Sequence, residues 1–231
     1  MVDEANRRLT HWSWLGRVPY GEATALQERV RDQVQGGGGP EHLLLLEHPP
    51  VFTLGRSASD TDIVATREWL EAHGVEVHAT DRGGLVTFHG PGQLVGYPII
   101  DLNPDRRDLR RYVRDLQDVL VRTLADFGVE AHGRSEQSLI GVWSGDQKIA
   151  SIGVHVSRWV TSHGFALNVT TDLSYFGGIV ACGLPNVRMA SIESLTGRRV
   201  DLGELAEICA AHFGDVFERE MAASESPVLP S

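Results

Sequence analysis

Cysteine and lysine are nearly missing from this chain of 231 residues, which has two cysteines, Cys182 and Cys209, and one lysine, Lys148. The other 20 of its 21 basic residues are therefore arginine. Two cysteines cannot build a disulfide framework, so we expect the protein to work in the reducing environment of the cytoplasm.

Long apolar runs and an excess of positive charge are missing as well. The apolar segment 43–46 is followed at once by Glu47 and falls far short of the roughly 18 residues that a membrane helix needs. The first eight residues are polar and include acids, so we expect no secretory signal there. A net charge of −10 argues against a nucleic-acid binder. We therefore predict neither a membrane nor a nucleic acid as a partner.

The residue pattern predicts a mixture of strands and helices. β-Branched and aromatic residues with partial alternation predict strands over 9–15, 43–46, 75–78, 94–100, 138–143, 149–156 and 161–169. Apolar residues at helical spacing predict helices over about 21–35, 67–72, 108–127 and 201–219. Strands follow one another between residues 129 and 170 without a helix, which favours an α+β fold with a mixed β-sheet flanked by helices.

The chain is predicted to form a single domain over residues 1–221. No internal repeat and no shift in composition marks a boundary, and ordinary domains run to roughly 100–200 residues. The glycine run 36–39 indicates a flexible surface loop between a helix and a strand. Residues 222–231, rich in serine and proline, are predicted to be a disordered tail.

The single lysine is a candidate proton carrier. Coding bias explains a general preference for arginine, but the exception at Lys148 then needs a reason of its own. A lysine can lose its proton when it is desolvated or lies near other cations, whereas an arginine stays protonated. The alternative is a surface lysine that survives by chance.

A glycine-rich segment, 81–98, is a candidate substrate loop with Arg82 and His89 as its polar groups. Glycines that permit positive φ and close approach of a ligand recur in it: Gly83, Gly84, Gly90 and Gly92. Their spacing is not a dinucleotide fingerprint, and the chain has no Gly-Lys-Ser/Thr phosphate loop. The alternative is a β-hairpin whose histidine has a structural role.

The two cysteines differ in their surroundings. Glycines around Cys182 can leave its thiol accessible, whereas Cys209 lies on the apolar stripe of a predicted helix and is expected to be inert. A thiol nucleophile needs a pKa below its ordinary value of about 8.5. The candidates for the cation that lowers it are His89, His155, His163 and Lys148. Neither the cysteines nor the ten histidines show metal-ligand spacing, so no metal is predicted.

Five arginines cluster where the helix predicted over 108–127 begins: Arg106, Arg107, Arg110, Arg111 and Arg114. The favoured interpretation is a solvated helix face that pairs with Asp105, Asp108 and Asp115. The functional alternative is a basic patch that steers an acidic macromolecule towards the protein.

Several motifs occur together in a fixed order over about residues 10–215. They are Glu47-His-Pro-Pro-Val-x-Thr53-Leu-Gly55, Arg82-Gly-Gly-x-x-Thr87-x-His89-Gly-Pro-Gly-Gln93-x-x-x-Tyr97-Pro98, Lys148-Ile-Ala, His163-Gly-Phe-Ala-Leu-Asn168 and Ile179-Val-x-Cys182-Gly-Leu. In these motifs the chain resembles the lipoyl(octanoyl) transferases of lipoate biosynthesis. The resemblance implies a fold similar to the catalytic domains of biotin protein ligases and lipoate ligases.

The resemblance also implies a reaction and its residues. An octanoyl group would pass from octanoyl-acyl carrier protein to one lysine of a lipoyl domain, such as those of 2-oxoacid dehydrogenase complexes or the glycine cleavage H protein. Cys182 would form an acyl-thioester intermediate, with Lys148 as its dyad partner. The implied acyl pocket consists of Arg82, Gly83, Gly84, Leu85, Val86, Thr87, Phe88, His89, Ser151, Ile152, Gly153, Gly164, Phe165 and Ala166. No cofactor is expected, and a monomer is one of the states that the sequence allows.

Four alternatives remain open at this point. One is an ATP-dependent lipoate or biotin ligase on the same scaffold, and another is an amidotransferase that moves octanoyl between lipoyl domains. The third is a non-catalytic acyl-binding module. The fourth is a hydrolase that releases octanoate to water.

Overall fold

The structure, a computed structural model, describes residues 7–136, 139–180 and 187–224. Its strands are β1 (Arg8–Arg17), β2 (Glu41–Glu47), β3 (Val51–Leu54), β4 (Glu76–Ala79), β5 (Val86–His89), β6 (Gln93–Ile99), β7 (His132–Arg134), β8 (Gly141–Ser144), β9 (Gln147–Ser157), β10 (Val160–Asn168), β11 (Arg188–Met189) and β12 (Arg219–Ala223). Its helices are α1 (Tyr20–Gln35), α2 (Arg67–Ala72), α3 (Leu109–Asp126), α4 (Ile192–Thr196) and α5 (Leu202–Phe217). Short 3₁₀ turns span Asp60–Asp62 and Leu173–Gly178.

A large mixed sheet forms the frame of the protein. In the described ranges its main path runs β12-β1-β2-β6-β10-β9-β8-β7, and β11 pairs with β9 beside this path. Strand β1 is parallel to both β12 and β2, whereas the ladders from β2 onward to β7 are antiparallel. The predicted α+β class with a mixed sheet and flanking helices is confirmed.

Helices cover both faces of the large sheet because its central strands are apolar on both sides. Leu43, Leu44, Leu45 and Leu46 of β2 are all fully buried. Successive side chains of a strand point to opposite faces. Leu43 and Leu45 accordingly pack in the cluster under α3 and α5, while Leu44 and Leu46 pack in the cluster under α1. The continuous apolar run therefore indicates a strand with helices packed on both of its faces.

A second, smaller sheet has the order β4-β3-β5. Strand β3 is parallel to β4 and antiparallel to β5. Phe52 and Phe88 belong to a separate apolar cluster with Phe176, which follows β10 in the chain. This sheet is therefore anchored to the large one by aromatic packing rather than by a shared ladder.

Each predicted strand and helix overlaps an observed element, but several short elements were missed: β3, β5, β7, β11, β12 and α4. The missed strands are only two to five residues long, and such short segments show little alternation. The strand predicted over 138–143 begins at Gly141 in the described part of the chain, and Ser138 lies outside the described residues. The loop predicted over 36–39 is confirmed.

The tail predicted from residue 222 starts too early. Ala222 and Ala223 belong to β12, which lies parallel to β1, and the N–H of Ser224 donates to the carbonyl of Trp12 at 2.8 Å. Backbone pairing at the sheet edge thus orders two residues that composition alone assigned to the tail. None of the helices in the described ranges combines the length and the apolar character that crossing a bilayer requires.

Candidate active site

A cavity of about 620 Å³ lies between the two sheets. Its walls come from β9 and β10 of the large sheet, from β5 and the loop before it, and from the start of α3. Lys148 lines it, and so do most of the predicted pocket residues: Arg82, Gly83, Gly84, Leu85, Val86, Thr87, His89, Ser151, Ile152, Gly153, Gly164, Phe165 and Ala166. The fold therefore gathers three motifs that are far apart in the sequence.

Phe88 is the predicted pocket residue that does not line the cavity. It stacks on Tyr175 at 4.8 Å between ring centroids and packs edge-on against Phe52. Thr87 and His89, its neighbours in β5, face the cavity, and alternate residues of a strand point to opposite faces. Phe88 therefore packs on the side of β5 that faces away from the cavity.

Glycines let the chain segments around the cavity approach closely. A Cβ atom on Gly164 would lie 2.2 Å from the carbonyl oxygen of Gly96, and one on Gly153 would lie 3.0 Å from that of Gly83. The N–H of Gly83 donates to the carbonyl of Val154 at 2.9 Å. The loop before β5 thus crosses directly over β9, which is the reason for glycine at 153, whereas Gly164 lets β10 lie close to β6.

Arg82 places a buried positive charge in the cavity wall. Its Nη2 donates to the carbonyl oxygen of Thr53 at 2.6 Å and to its Oγ1 at 2.8 Å, and its Nη1 donates to the carbonyl of Gly83 at 3.1 Å. These acceptors are all uncharged. Burial lowers the pKa of Arg82, but an arginine remains protonated at any working pH. This wall is therefore electropositive.

His89 is held in one tautomer by a chain of side-chain amides. The Gln93 Nε2 group donates to the carbonyl of Phe88 and to Asn168 Oδ1, so Gln93 Oε1 accepts the Nδ1–H of His89 at 2.8 Å. Burial, with the nearby charges of His48 and Arg82, lowers the pKa of His89 well below its ordinary value. His89 Nε2 is therefore an acceptor, 3.4 Å from the Thr53 hydroxyl.

Tyr20 and Tyr97 line the cavity although neither was predicted as a pocket residue, and His48 joins this polar wall through a hydrogen bond to Tyr97. His48 Nδ1 donates to the carbonyl of Val18 at 2.7 Å, so its Nε2 accepts the hydroxyl of Tyr97 at 2.8 Å. Burial lowers the pKa of His48 to about 4. Tyr20 stacks parallel to His89, with 6.4 Å between the ring centroids. His48 lies in the motif that begins at Glu47 and Tyr97 in the motif that begins at Arg82, so these motifs could have identified both residues. Tyr20 lies in none of the motifs.

His163 has a strained backbone at the cavity. It is a buried strand residue with φ of 55°, a left-handed conformation that disfavours residues other than glycine. Its N–H donates to Gln27 Oε1 at 2.8 Å and its Nε2 donates to Asp81 Oδ1 at 2.7 Å. Burial lowers the pKa of His163, although Asp81 acts in the opposite direction. His155, the other candidate, lies 3.6 Å from Asp81 Oδ2.

Lys148 is buried, with 4% of its surface exposed, where β9 meets β11. Its ammonium nitrogen lies 5.9 Å from the centroid of the Trp143 ring. A Cβ atom on Gly141 would lie 2.6 Å from Lys148 Cε, so the lysine side chain packs against bare backbone. The lone lysine of the chain is therefore a wall residue of the cavity rather than a surface residue.

Cys182 lies outside the described residues, in the segment 181–186. Phe176 and Met189, which stand on either side of this segment, both line the cavity. The N–H of Val180 donates to the carbonyl of Asp62 at 2.8 Å. Cys209 is fully buried on α5, and burial raises the pKa of its thiol to about 12, so the prediction of an inert cysteine is confirmed.

The arginine cluster divides into a structural residue and a surface group. Arg106 is only 2% exposed; it pairs with Asp115, donates to the carbonyl of Val216 at 2.8 Å and stacks over Phe217 at 5.0 Å. The predicted pairing with Asp115 is confirmed, but the placement of Arg106 on a solvated helix face was wrong, because spacing cannot distinguish a core arginine from its exposed neighbours. The other four arginines of the cluster are exposed: Arg107, Arg110, Arg111 and Arg114.

Relatives of this chain are octanoyltransferases. One from Solibacter usitatus (strain Ellin6076) is 50% identical over 214 residues, which cover 92% of this chain and 94% of that protein. Another, from Caldicellulosiruptor bescii, is 45% identical over 212 residues, which cover 90% and 91% of the two chains. The resemblance stated from the motifs is confirmed.

Solved structures share the fold at low sequence identity. A bipartite lipoate protein ligase from Thermoplasma acidophilum has a TM-score of 0.74 at 15% identity, covering 95% of this chain and 88% of that one. Biotin protein ligase from Aquifex aeolicus has a TM-score of 0.53 at 12% identity, covering 90% and 70%. The family model described as the lipoyl protein ligase A/B catalytic domain matches residues 19–214. By this match and by its 50% identity to a relative, the chain belongs to the lipoyl protein ligase A/B family.

Proposed function

We propose that this protein transfers an octanoyl group from octanoyl-acyl carrier protein to a lysine of a lipoyl domain, through a thioester on Cys182. The observation that carries the proposal is the buried Lys148, the one lysine of the chain, in a cavity whose other walls are the glycine-rich loop and strands β9 and β10. The octanoyltransferase names of relatives at 45–50% identity support it.

The apolar share of the cavity suits an acyl chain. The cavity is lined by Leu85, Ile152, Phe165 and Met189 together with the neutral imidazole of His89. Burying apolar surface contributes about 0.8 kcal/mol for each methylene, so a seven-carbon tail supplies a large part of donor binding. Apolar pockets with a few fixed polar groups are typical of small-ligand sites.

Two exchange steps balance the reaction. The Cys182 thiolate attacks the carbonyl carbon of the donor thioester, and the bond to the donor sulfur breaks. The Lys148 ammonium gives a proton to the departing sulfur, which releases the carrier protein as its thiol and leaves Lys148 as the neutral amine. The amine of the incoming lysine then attacks the Cys182 thioester, an amide bond forms, and the Cys182 thiolate leaves. Lys148, as the neutral amine, takes the proton that the attacking nitrogen loses. Conversion of a thioester to an amide is downhill, so ATP is not required.

Lys148 is suited to this role by type as well as by place. An arginine remains protonated and cannot accept a proton at neutral pH. The exception to arginine in this chain lines the cavity, which supports its proposed role as the proton acceptor. The two-step scheme also lets two protein substrates use one entrance in turn.

The second candidate function is an ATP-dependent lipoate ligase, because the family includes such enzymes and the fold is shared with them. The deciding experiment mixes the full chain with octanoyl carrier protein and a lipoyl domain without ATP, and measures the octanoylated lipoyl domain. We expect transfer under these conditions. Transfer that occurs only with free octanoate and ATP would establish the ligase instead, and release of octanoate without an acceptor would establish a hydrolase.

A further inference from the structure

The rim of the cavity carries exposed arginines beside an exposed leucine. Leu109, the first residue of α3, lines the cavity and is 47% exposed, and Arg56, also exposed, lines it from beyond β3. Arg110 and Arg114 follow the lining residues Leu109 and Val113 along the helix, and both are exposed. We call Arg56, Leu109, Arg110 and Arg114 the rim patch.

The carboxylates near the rim patch offset its charge only in part, because Asp108 attracts Arg110 and Arg114 electrostatically without forming an ion pair with either. Two acidic side chains of α3 face other arginines: Asp115 pairs with Arg106 and Arg111, and Asp118 pairs with Arg122. Asp108, immediately before the helix, caps it by accepting from the backbone N–H groups of Arg110 and Arg111. In the part of the chain that the structure describes, Arg56, Arg110 and Arg114 form no ion pair. This local positive charge lies on a protein of net charge −10.

The rim arginines also oppose the dipole of their own helix. The positive end of a helix dipole favours acidic residues in the first turn. Such residues are present in the first turns of the other described α-helices: Glu22, Glu68, Glu193 and Glu204. The first turn of α3 has none and carries Arg110 and Arg111 instead. Helix stability therefore does not explain the arginines, which points to an external role.

We propose that the rim patch is the docking surface for the acidic carrier protein that delivers the acyl group, an inference that rests on the proposed function. Leu109 supplies apolar contact at the cavity mouth, and the arginines supply the complementary charge. The positive rim steers an acidic partner to a protein whose overall charge would repel it.

The donor fits this surface better than the acceptor does. A carrier protein presents its thioester on a phosphopantetheine arm, whose phosphate a positive rim attracts. The acceptor presents a lysine ammonium, which the same rim repels. The charge of the patch therefore favours the carrier protein, which is the first of the two protein substrates to react.

The test compares two donors with the double variant Arg110→Glu/Arg114→Glu. Octanoyl carrier protein uses the rim, whereas octanoyl-pantetheine, a small neutral thioester, does not. We expect kcat/KM for the carrier-protein donor to fall about tenfold or more, mainly through KM, and the value for octanoyl-pantetheine to stay within about twofold. The wild-type KM for the carrier protein should rise with salt, because exposed charges are screened.

Arg122→Glu is the matched control, since it reverses an exposed charge on the same helix two turns beyond Arg114. Arg122→Glu should leave kcat/KM for both donors unchanged. The double variant should still fold, because glutamate near the start of α3 does not weaken the helix. Equal effects of the double variant on both donors, or none, would overturn the docking proposal while octanoyl transfer stands. A defect confined to transfer from preloaded enzyme to the lipoyl domain would assign the patch to the acceptor and also overturn it. Wild-type protein that accepts neither donor would instead refute the proposed function.

Discussion

The backbone N–H of Ala190 donates to the carbonyl oxygen of Lys148 at 2.9 Å, so the chain that follows the Cys182 segment is fixed beside the lysine strand. The carbonyl of Ala190 in turn accepts the side-chain amide of Asn168 at 3.0 Å. Asn168 is the end of the amide chain that fixes the tautomer of His89. One hydrogen-bonded network therefore joins the lysine strand to the polar wall of the cavity.

Lys148→Arg is expected to lower octanoyl transfer by about 100-fold or more, because general acid–base catalysis contributes that much and an arginine cannot accept the proton. Steady-state transfer from octanoyl carrier protein measures the effect. Lys148→Met, which also removes the proton acceptor, should show a similar loss, and thermal unfolding checks that both variants fold. Turnover near the wild-type rate in Lys148→Arg would refute the proton-carrier role.

Arg106→Met is expected to destabilise the fold by about 3 kcal/mol, because it removes the hydrogen bonds of a buried arginine to Asp115 and to the carbonyl of Val216 and leaves Asp115 with only the longer contact to Arg111. Urea unfolding measures the change in free energy. Arg110→Met provides the comparison, since it alters an exposed side chain and should stay within about 0.5 kcal/mol of wild type. Equal effects of the two substitutions would contradict the structural role of Arg106.

Mild acid should destabilise the protein through His48. Burial lowers the pKa of His48 in the folded state to about 4, below the ordinary value of 6.5 that it regains on unfolding. The unfolded chain then binds more protons below pH 6.5, so this contribution to stability is complete above that pH and is lost as the pH falls towards 4. At pH 5 the loss is about 2 kcal/mol.

The variant His48→Gln isolates this effect. The difference in unfolding free energy between pH 7 and pH 5 should be smaller in the variant by about 2 kcal/mol, whatever its absolute stability. Urea unfolding at the two pH values gives the comparison. An unchanged pH difference would mean that His48 is already protonated in the folded protein at pH 5.

Thiol labelling should separate the two cysteines. Burial raises the pKa of Cys209 to about 12, so alkylation of the folded protein with iodoacetamide should leave it unmodified. We expect a single adduct, on Cys182, in the folded state and two adducts after denaturation. Peptide mapping assigns the sites. A folded protein labelled at Cys209 would contradict the described burial of α5.

The sequence located most of the candidate pocket because its residues lie in compact motifs. The glycine density around Arg82 and His89 indicated a ligand loop, and the scarcity of lysine singled out Lys148. Both signals are local, and the fold then placed these residues around one cavity. The rest of the wall, on β9 and β10, was predicted from the family resemblance alone, and the register that sets Gly153 opposite Gly164 brings it together.

Other features depend on tertiary structure and could not be predicted. Tyr20, His48 and Tyr97 come from three separate segments that meet only after the sheet is assembled. Leu109 belongs to the apolar stripe of α3, yet it lines the cavity instead of packing in the core. Arg106 and Arg110 look alike in the sequence, and only packing shows that one is buried.

Intact mass spectrometry after mixing the full chain with octanoyl-acyl carrier protein and no ATP tests the proposed thioester on Cys182. The account predicts one octanoyl adduct that hydroxylamine removes, that peptide mapping places on Cys182, and that disappears when a lipoyl domain is added. An octanoylated lipoyl domain formed at the wild-type rate by Cys182→Ala, with no adduct on the wild-type chain, would contradict it.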